Sequence, residues 1–235
     1  MNILKKECDN IAKIIENSST IPIFDGVINP EQYIKSSTKI LWILKESNSK
    51  DKKSWSFIDC FSNPNWLLKN NKLPSIRRVV YISHGILTPN LNSWKDMPSS
   101  TDLICQESVK KIAYINIKKE PGGSNSNDKI IFESAKSNHN LLKKQISVYT
   151  PDIIILGNTL KYFAENRNDI FGENIGEYKV SPFNNHYYET KNRLYINAYH
   201  PSFIKGFTDE NYVMDIVNIC KKWINMKNNT KGNNV

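Results

Sequence analysis

The stretch "NAYHPSF", residues 197–203, places an imidazole, a proline and a hydroxyl together directly after the apolar residues "RLYI". The imidazole of His200 can exchange a proton near neutral pH, and the hydroxyl of Ser202 can bind a phosphate oxygen. In open α/β sheets, ligands bind beyond the carboxyl ends of the strands. The stretch is therefore a candidate reactive loop if a strand ends here, and otherwise an ordinary turn.

Two further apolar runs end in polar side chains that could take part in chemistry. Glu46 lies in "LKESN" after the first run, and Asn116 is followed by "IKKEPGGSNSND" after the second. A carboxylate can activate water and stabilise positive charge that develops on a sugar. An amide offers a donor and an acceptor together, as reading the edge of a nucleobase requires.

Four short apolar runs predict the buried strands that would position these groups. They are "KILWILK" (39–45), "KIAYINI" (111–117), "DIIILG" (152–157) and "RLYINAY" (193–199). Apolar residues over 132–149 recur at intervals of three and four and predict one helix of about five turns. A similar pattern over 213–224 predicts another helix. The alternation predicts an α/β fold, a three-layer α/β/α sandwich around a mostly parallel four-stranded sheet.

The length of 235 residues predicts a single domain over residues 1–226. Residues 52–106 have no clear strand pattern, and we interpret them as a helix and loop insertion between the first two strands. The polar end of the chain, "KNNTKGNNV" (227–235), predicts a disordered tail.

The charge balance favours a nucleic acid partner. Thirty-two Lys and Arg residues against 23 Asp and Glu residues leave a net charge of +9, and basic side chains bind phosphates with release of counterions. A lysine-rich composition that reflects AT-rich coding is the alternative explanation. No GxGxxG, GKS/T or HExxH motif is present, so nucleotide-cofactor and zinc-hydrolase functions are not indicated.

The four cysteines lie far apart and form no CxxC pair. Neither a zinc site nor a disulfide framework is therefore indicated, and we expect neither a metal nor another cofactor. No apolar run reaches the roughly 18 residues that span a bilayer, and the first residues do not resemble a secretion signal. We expect a cytoplasmic, monomeric protein that does not bind membranes.

The order of these motifs resembles the uracil-DNA glycosylase superfamily over roughly residues 39 to 224. "HPSF" resembles the second motif of that superfamily, "PDIIILGN" is similar to the strand before its penultimate helix, and "NIKKEPGGSNSND" looks like the Asn-then-Pro-Gly-Ser segment of its mismatch-specific uracil and thymine branch. The resemblance implies the fold of that superfamily and a monofunctional DNA glycosylase, which flips a base out of duplex DNA and cleaves its N-glycosidic bond. The first motif departs from the family, because Lys45 stands where a small residue is expected.

The resemblance assigns roles to individual residues. Glu46 takes the water-activating place, with Asn48 or Asp51 as substitutes, and His200 donates to the leaving base. Asn116 reads the base, Trp55 or Phe57 stacks on it, and Asn48 is a further residue of the base pocket. The residues implied in DNA binding are Lys118, Gly122, Gly123, Ser124, Ser202, Phe203, Ile204 and Lys205, of which Phe203 or Ile204 would wedge into the duplex.

The identity of the base and the presence of activity have alternatives. Uracil enzymes exclude thymine with a bulky ring after the first motif, whereas "SNSKD" has no ring. We therefore expect a roomier pocket for a modified pyrimidine, such as a hypermodified cytosine of phage DNA in phage defence, with uracil as the narrower possibility. The alternatives are an inactive DNA-binding or protein-binding module of the same fold and an N-glycosidase that acts on free nucleosides.

Overall fold

The computed structural model describes residues 3–49, 53–203 and 205–232. Its strands are β1 (Ile23–Phe24), β2 (Gly26–Val27), β3 (Ile40–Leu44), β4 (Ser47–Asn48), β5 (Trp55–Ser56), β6 (Ile112–Asn116), β7 (Pro121–Gly122), β8 (Ile153–Gly157), β9 (Lys179–Val180), β10 (His186–Glu189) and β11 (Leu194–Ala198). Its α-helices are α1 (Ile3–Ser18), α2 (Pro30–Lys35), α3 (Phe57–Ser62), α4 (Pro64–Asn70), α5 (Pro74–Leu87), α6 (Leu103–Glu107), α7 (Asp128–Ser137), α8 (His139–Tyr149), α9 (Arg167–Phe171) and α10 (Asp209–Gly232). Short 3-10 helices span Trp94–Asp96, Ser108–Lys111 and Leu160–Phe163.

Within the described residues, seven strands form one open sheet in the order β2–β6–β3–β8–β11–β10–β9. The strands β6, β3, β8 and β11 run parallel and correspond to the four predicted apolar runs. The α/β class and the parallel core are therefore confirmed. The prediction of only four strands is wrong, because β2, β10 and β9 extend the sheet in antiparallel orientation. These edge segments are too short or too polar to produce a strand pattern in the sequence.

Helices cover both faces of the sheet. Trp42 and its neighbours at alternate positions pack against α3, α4, α5 and α10. Ile43 and the residues that alternate with it pack against α1, α2, α7 and α8. Side chains of a strand point alternately to its two faces, so the continuous apolar run of β3 is what a strand covered on both sides requires.

The segment over 52–106 contributes helices and loops to the same core. Its helix α5 buries Val79, Ile82 and Ile86 together with Trp42 of the sheet and Val217 of α10. The inserted residues therefore belong to one face of the sandwich and lie against the strands that carry the candidate site.

Two helical predictions differ from the structure. The helix predicted over 132–149 is interrupted at Asn138, whose side-chain amide donates to the carbonyl oxygen of Ile117 at 2.9 Å. The helix α10 extends to Gly232 through most of the segment predicted to be disordered. Lys227, the first residue of this segment, lies over the ring of Trp223 and donates to Asp152 at 2.8 Å, so tertiary contacts hold the point where the polar segment begins. Residues 233–235 lie outside the described residues.

Among the helices of the described chain, none combines the length and the apolar character needed to cross a lipid bilayer.

Candidate functional site

The carboxyl ends of the four parallel strands form one edge of the sheet. Asn116 of β6 lies opposite Leu44 of β3, and Gly157 of β8 lies opposite Ala198 of β11. Neighbouring strands are about 4.8 Å apart. The strand register therefore brings the segments after these four residues to the same edge, as the sequence predicted.

Gly157 allows the loop that carries His200 to approach the strands closely. A Cβ atom at this position would lie 2.1 Å from Cδ2 of Leu44 and 3.2 Å from Cδ of Pro201. Real Cβ atoms do not approach other heavy atoms at the first of these distances, because such overlap is strongly repulsive. The missing side chain thus lets Leu44 and Pro201 meet at the end of β8.

Glu46 is held between the segments that follow β3 and β6. Its side chain is 6% exposed, and its Oε2 lies 3.3 Å from Nζ of Lys118. A Cβ atom on Gly122 would lie 2.1 Å from Cδ of Glu46, so the carboxylate lies directly against that glycine. The short strands β4 and β7 pair in parallel beside it, with Asn48 opposite Gly122.

Lys118 and Gly122 were assigned to DNA binding from the sequence, and here they contact the carboxylate of Glu46. Lys118 also donates to the carbonyl oxygen of Pro121 at 2.8 Å. The two residues therefore orient the candidate catalytic group, in addition to any contact with a ligand.

The side chain of Asn116 is fully buried, and neither its amide nitrogen nor its amide oxygen has a hydrogen-bond partner among the described residues. Its backbone N–H donates to Oδ2 of Asp25 at 2.8 Å. The hydroxyl of Ser47, next to Glu46, is also buried and makes no hydrogen bond within residues 3–49, 53–203 and 205–232. Leaving a buried polar group unpaired costs about 1–3 kcal/mol, so such groups are rare in native proteins and are expected where a ligand completes the bonding.

His200 is partly exposed at the start of the loop after β11. Burial of the ring lowers its pKa to about 4, and the nearby ammonium group of Lys45 contributes in the same direction. The backbone N–H of Ser202 donates to Nδ1 at 3.2 Å, and the hydroxyl of the same residue lies 2.7 Å from Nδ1. The ring is therefore neutral at pH 7 with its proton on Nε2, which leaves Nε2–H as the donor.

A charged cluster lies between Glu46 and His200. Asp128 accepts from Nζ of Lys161 and from the hydroxyl of Tyr162, both at 2.5 Å, and lies 3.6 Å from Nζ of Lys45. The hydrogen bonds from Lys161 and Tyr162 lower the pKa of Asp128 to about 2. Burial is the main cause that raises the pKa of Tyr162, and the charge of Glu46 contributes to the same shift. Lys45 thus joins this cluster through Asp128 and also acts on the pKa of His200.

The two aromatic candidates for stacking lie on the face of the sheet to which Asn116 points. The ring of Phe57 lies 4.7 Å from that of Tyr114, two residues before Asn116 on β6, and 4.4 Å from that of Trp55. Phe57 is buried in the core, whereas Trp55 remains partly exposed. Of the two, Trp55 keeps ring surface that a ligand can contact.

Most residues assigned to DNA binding are exposed at this edge of the molecule. The exposed ones are Gly123, Ser124, Ser202, Phe203 and Lys205, and Asn48 of the predicted base pocket is exposed as well. The ring of Phe203 is 39% exposed and stacks on Tyr199, with centroids 5.1 Å apart. Ile204, the alternative wedge, and Asp51, a substitute for Glu46, lie outside the described residues.

Arg78 holds the loop that carries His200, a role that no motif in the sequence indicates. Its guanidinium is 1% exposed and donates to the carbonyl oxygens of Pro201 at 3.1 Å and Phe203 at 2.6 Å. It also pairs with Asp209 at 2.8 Å. The Arg77-Arg78 pair is visible in the sequence, but its partners are more than 120 positions away.

Asp25 is a second supporting residue that sequence reasoning missed. Besides the backbone N–H of Asn116, its carboxylate accepts from Nζ of Lys119 at 2.8 Å and from the side-chain amide of Gln145 at 2.9 Å. All three side chains are buried. This network fixes the end of β6 and therefore the position of Asn116.

A pocket of about 170 Å³ lies beside the His200 loop. It is lined by Asn158, Asn184, His186, Asn197, Ala198 and Tyr199. The predicted residues Glu46, Asn116 and His200 do not line it. Within the described residues, no group of His, Cys, Asp and Glu side chains is arranged to hold a metal ion.

No protein-family model matches the chain, and comparison with curated proteins finds no significant match.

Proposed function

We propose that the protein is a monofunctional DNA glycosylase that removes a flipped, modified pyrimidine and leaves an abasic site. The observation that carries the proposal is the buried amide of Asn116, which lies at the same sheet edge as Glu46 and His200. Neither of its polar atoms has a partner in the described part of the chain. A pyrimidine edge offers the complementary donor and acceptor. The resemblance of "HPSF" and "NIKKEPGGSNSND" to uracil-DNA glycosylase motifs supports the same assignment.

Each candidate group has a defined part in the proposed reaction. Glu46 orients a water molecule that adds to C1′ as the C1′–N bond breaks, accepts its proton, and stabilises the positive charge that develops on the sugar. The neutral ring of His200 donates through Nε2–H to the oxygen of the departing base, where negative charge accumulates. One such donor in a site closed to water contributes about 3 kcal/mol.

Base entry requires that Asn116 become accessible when DNA binds, since its side chain is fully buried in the free protein. Trp55, which is partly exposed beside Phe57, then supplies the ring on which a flipped base stacks. The residues just after Glu46, Ser47–Asn48, carry no ring. The proposal therefore includes a pyrimidine with a substituent, such as a hypermodified cytosine of phage DNA, in addition to uracil.

The net charge of +9 supports a polyanionic substrate. We propose that the enzyme acts in the cytoplasm as a monomer, in keeping with cysteines that are all free among the described residues.

Incubation with labelled duplexes, followed by alkaline cleavage of abasic sites, tests the proposal. The duplexes contain one uracil, one hypoxanthine or one glucosylated hydroxymethylcytosine. The wild type should cleave at least one of them, and Glu46→Gln should lose about a hundredfold or more in rate while still binding DNA. Glu165→Gln, an exposed carboxylate 3.5 Å from Lys136, is the matched control and should keep full activity.

The outcomes separate the alternatives. Binding of DNA without cleavage of any duplex would support an inactive module of the same fold. Here the ion pair of Glu46 with Lys118 would serve structure alone. Cleavage of free nucleosides, with an affinity for the substrate that does not fall as the salt concentration rises, would support a small-molecule N-glycosidase. A DNA enzyme would lose affinity for its substrate steeply under the same conditions. Activity confined to plain uracil would reject the enlarged pocket.

A further inference from the structure

The pocket beside the His200 loop is lined by uncharged polar groups. It contains the amides of Asn158, Asn184 and Asn197, the ring of His186 and the phenol of Tyr199. Among the described residues, no carboxylate, ammonium or guanidinium group lines it. Phosphates and carboxylates bind where cationic groups converge, so this pocket suits an uncharged group that both donates and accepts hydrogen bonds.

One acceptor in this pocket has no partner in the protein. Oδ1 of Asn197 is buried and makes no hydrogen bond within the described structure. Asn197 lies directly opposite His186 in the antiparallel pair of β10 and β11, so the two side chains are neighbours on one face of the sheet. Because Oδ1 has almost no solvent-accessible surface, a ligand N–H or O–H donor reaches it once the Asn197 amide turns toward the pocket.

The rings and amides around this acceptor are held in place before any ligand binds. The ring of His186 stacks on Tyr178 with centroids 4.3 Å apart and an interplanar angle of 12°. Tyr199 stacks on Phe203, and its hydroxyl accepts from the amide of Asn184 at 3.3 Å. Planar rings next to amides form the combination that recognises unstacked nucleobases, through stacking and hydrogen bonds to the base edge.

The volume and position of the pocket further limit the kinds of ligand that it can bind. About 170 Å³ is below the roughly 300 Å³ typical of pockets for drug-sized ligands, which suits one small ring system. Tyr199 immediately precedes His200, and the backbone N–H of Asn158 donates to the carbonyl oxygen of Ala198 at 2.7 Å. A strand whose flipped nucleotide lies at His200 therefore has its next nucleotide within reach of the pocket.

We infer that the pocket of Asn158, Asn184, His186, Asn197 and Tyr199 binds the nucleobase adjacent to the excised one, so that the enzyme selects the sequence context of its target. This inference rests on the proposed glycosylase function for its biological meaning. Asparagine pairs with adenine through two hydrogen bonds, which makes adenine the expected neighbour.

Titration with free nucleosides tests the pocket without any catalysis. Adenosine, cytidine, guanosine, thymidine and glucose are added at millimolar concentration, and amide resonances of the protein are followed by NMR. We expect adenosine to shift the resonances of Asn158, Asn184 and His186. Asn197→Leu removes the unpaired acceptor at similar size and should weaken adenosine binding at least tenfold. Asn192→Leu, at an exposed position in the turn before β11, should leave it unchanged.

Excision rates test the consequence for DNA. Single-turnover rates are measured on duplexes in which the bases on either side of the target are varied through all four. We expect the wild type to differ at least tenfold between neighbours on one side, with adenine fastest, and Asn197→Leu to reduce the difference to less than threefold.

The two experiments fail in distinguishable ways. Three outcomes of the titration overturn the inference, whatever the excision results are. The protein binds no nucleoside, it binds glucose in place of nucleosides, or Asn197→Leu leaves nucleoside binding unaltered. Equal excision rates in every context also overturn it while leaving the proposed function intact. If no duplex is cleaved although adenosine binds and Asn197→Leu weakens it, the glycosylase function fails and the nucleobase site stands.

Discussion

Nη1 of Arg78 donates to the carbonyl oxygen of Pro201 at 3.1 Å, across 123 positions of the chain. Arg78 belongs to α5 in the inserted segment, and Pro201 follows His200. The same guanidinium reaches the carbonyl oxygen of Phe203 and the carboxylate of Asp209. The helix α5, which was interpreted from the sequence only as part of an insertion, therefore holds the loop that carries His200.

Replacement of Arg78 by lysine tests this support. Lysine keeps the charge but cannot donate to Pro201, Phe203 and Asp209 together. We expect Arg78→Lys to lower the free energy of unfolding by about 2–4 kcal/mol in urea denaturation and to speed hydrogen exchange of the Phe203 amide. Arg77→Lys is the matched control, since Arg77 pairs with the same Asp209 but is 25% exposed, and its effect should stay below about 1 kcal/mol. Equal effects of the two substitutions would contradict the role of Arg78.

The contact between Glu46 and Gly122 predicts an activity defect from a single methyl group. A Cβ at position 122 would overlap Cδ of Glu46, so Gly122→Ala must displace the carboxylate. We expect about a tenfold or larger loss of excision rate, since misplacement of a catalytic group by about 1 Å has effects of this size. In Gly123→Ala the nearest atom to the new Cβ lies 3.7 Å away, so Glu46 stays in place and the excision rate should fall much less than in Gly122→Ala. A fully active Gly122→Ala enzyme would remove Glu46 from the mechanism.

The lowered pKa of His200 predicts a direction for the pH dependence of stability. The unfolded chain binds a proton at this histidine near pH 6.5, whereas the folded protein binds it only near pH 4. The unfolded state therefore holds more protons between these values, and the contribution of His200 lowers the free energy of unfolding as the pH falls from about 6.5 to about 4. Titration of the imidazole followed by NMR measures the pKa directly.

The contribution of Lys45 to the pKa of His200 can be measured separately from that of burial. Lys45→Met removes a positive charge near His200 and should raise its pKa, although burial, the larger cause, keeps it below the ordinary value. Lys161→Met removes another lysine that contacts Asp128 and should leave the pKa of His200 nearer to its wild-type value. If Lys45→Met leaves the pKa of His200 unchanged, the ammonium group of Lys45 is not close to the ring.

The buried pair of Asp25 and Lys119 predicts a large loss of stability when its charges are unbalanced. Asp25→Asn leaves the ammonium of Lys119, which is 2% exposed, without a countercharge, and we expect a loss of about 3–5 kcal/mol. Asp169→Asn breaks the contacts of an exposed carboxylate with Lys143 at 2.5 Å and His139 at 2.6 Å, and should change the free energy of unfolding far less. Calorimetric or urea unfolding distinguishes the two, and equal losses would argue against a buried charge at Asp25.

The four central strands and the edge that joins Glu46, Asn116 and His200 could be predicted from the sequence. Runs such as "DIIILG" and "KILWILK" are continuous and apolar because their strands are covered on both faces. In a parallel sheet all carboxyl ends point the same way, so the sequence predicts that the polar residues that follow them lie at one edge.

Contacts between residues that are far apart in the sequence were decided by the tertiary structure alone. Examples are the hydrogen bonds of Asp25 with Asn116 and of Arg78 with Pro201, and the pairing of Asn197 with His186. Each depends on packing between segments whose local periodicity gives no sign that they are neighbours. The antiparallel edge strands and the helical continuation through Lys227 likewise form because a neighbour supplies their partners. Local patterns fix which segments become buried strands and helices, whereas hydrogen bonds between distant groups form only after those segments have packed.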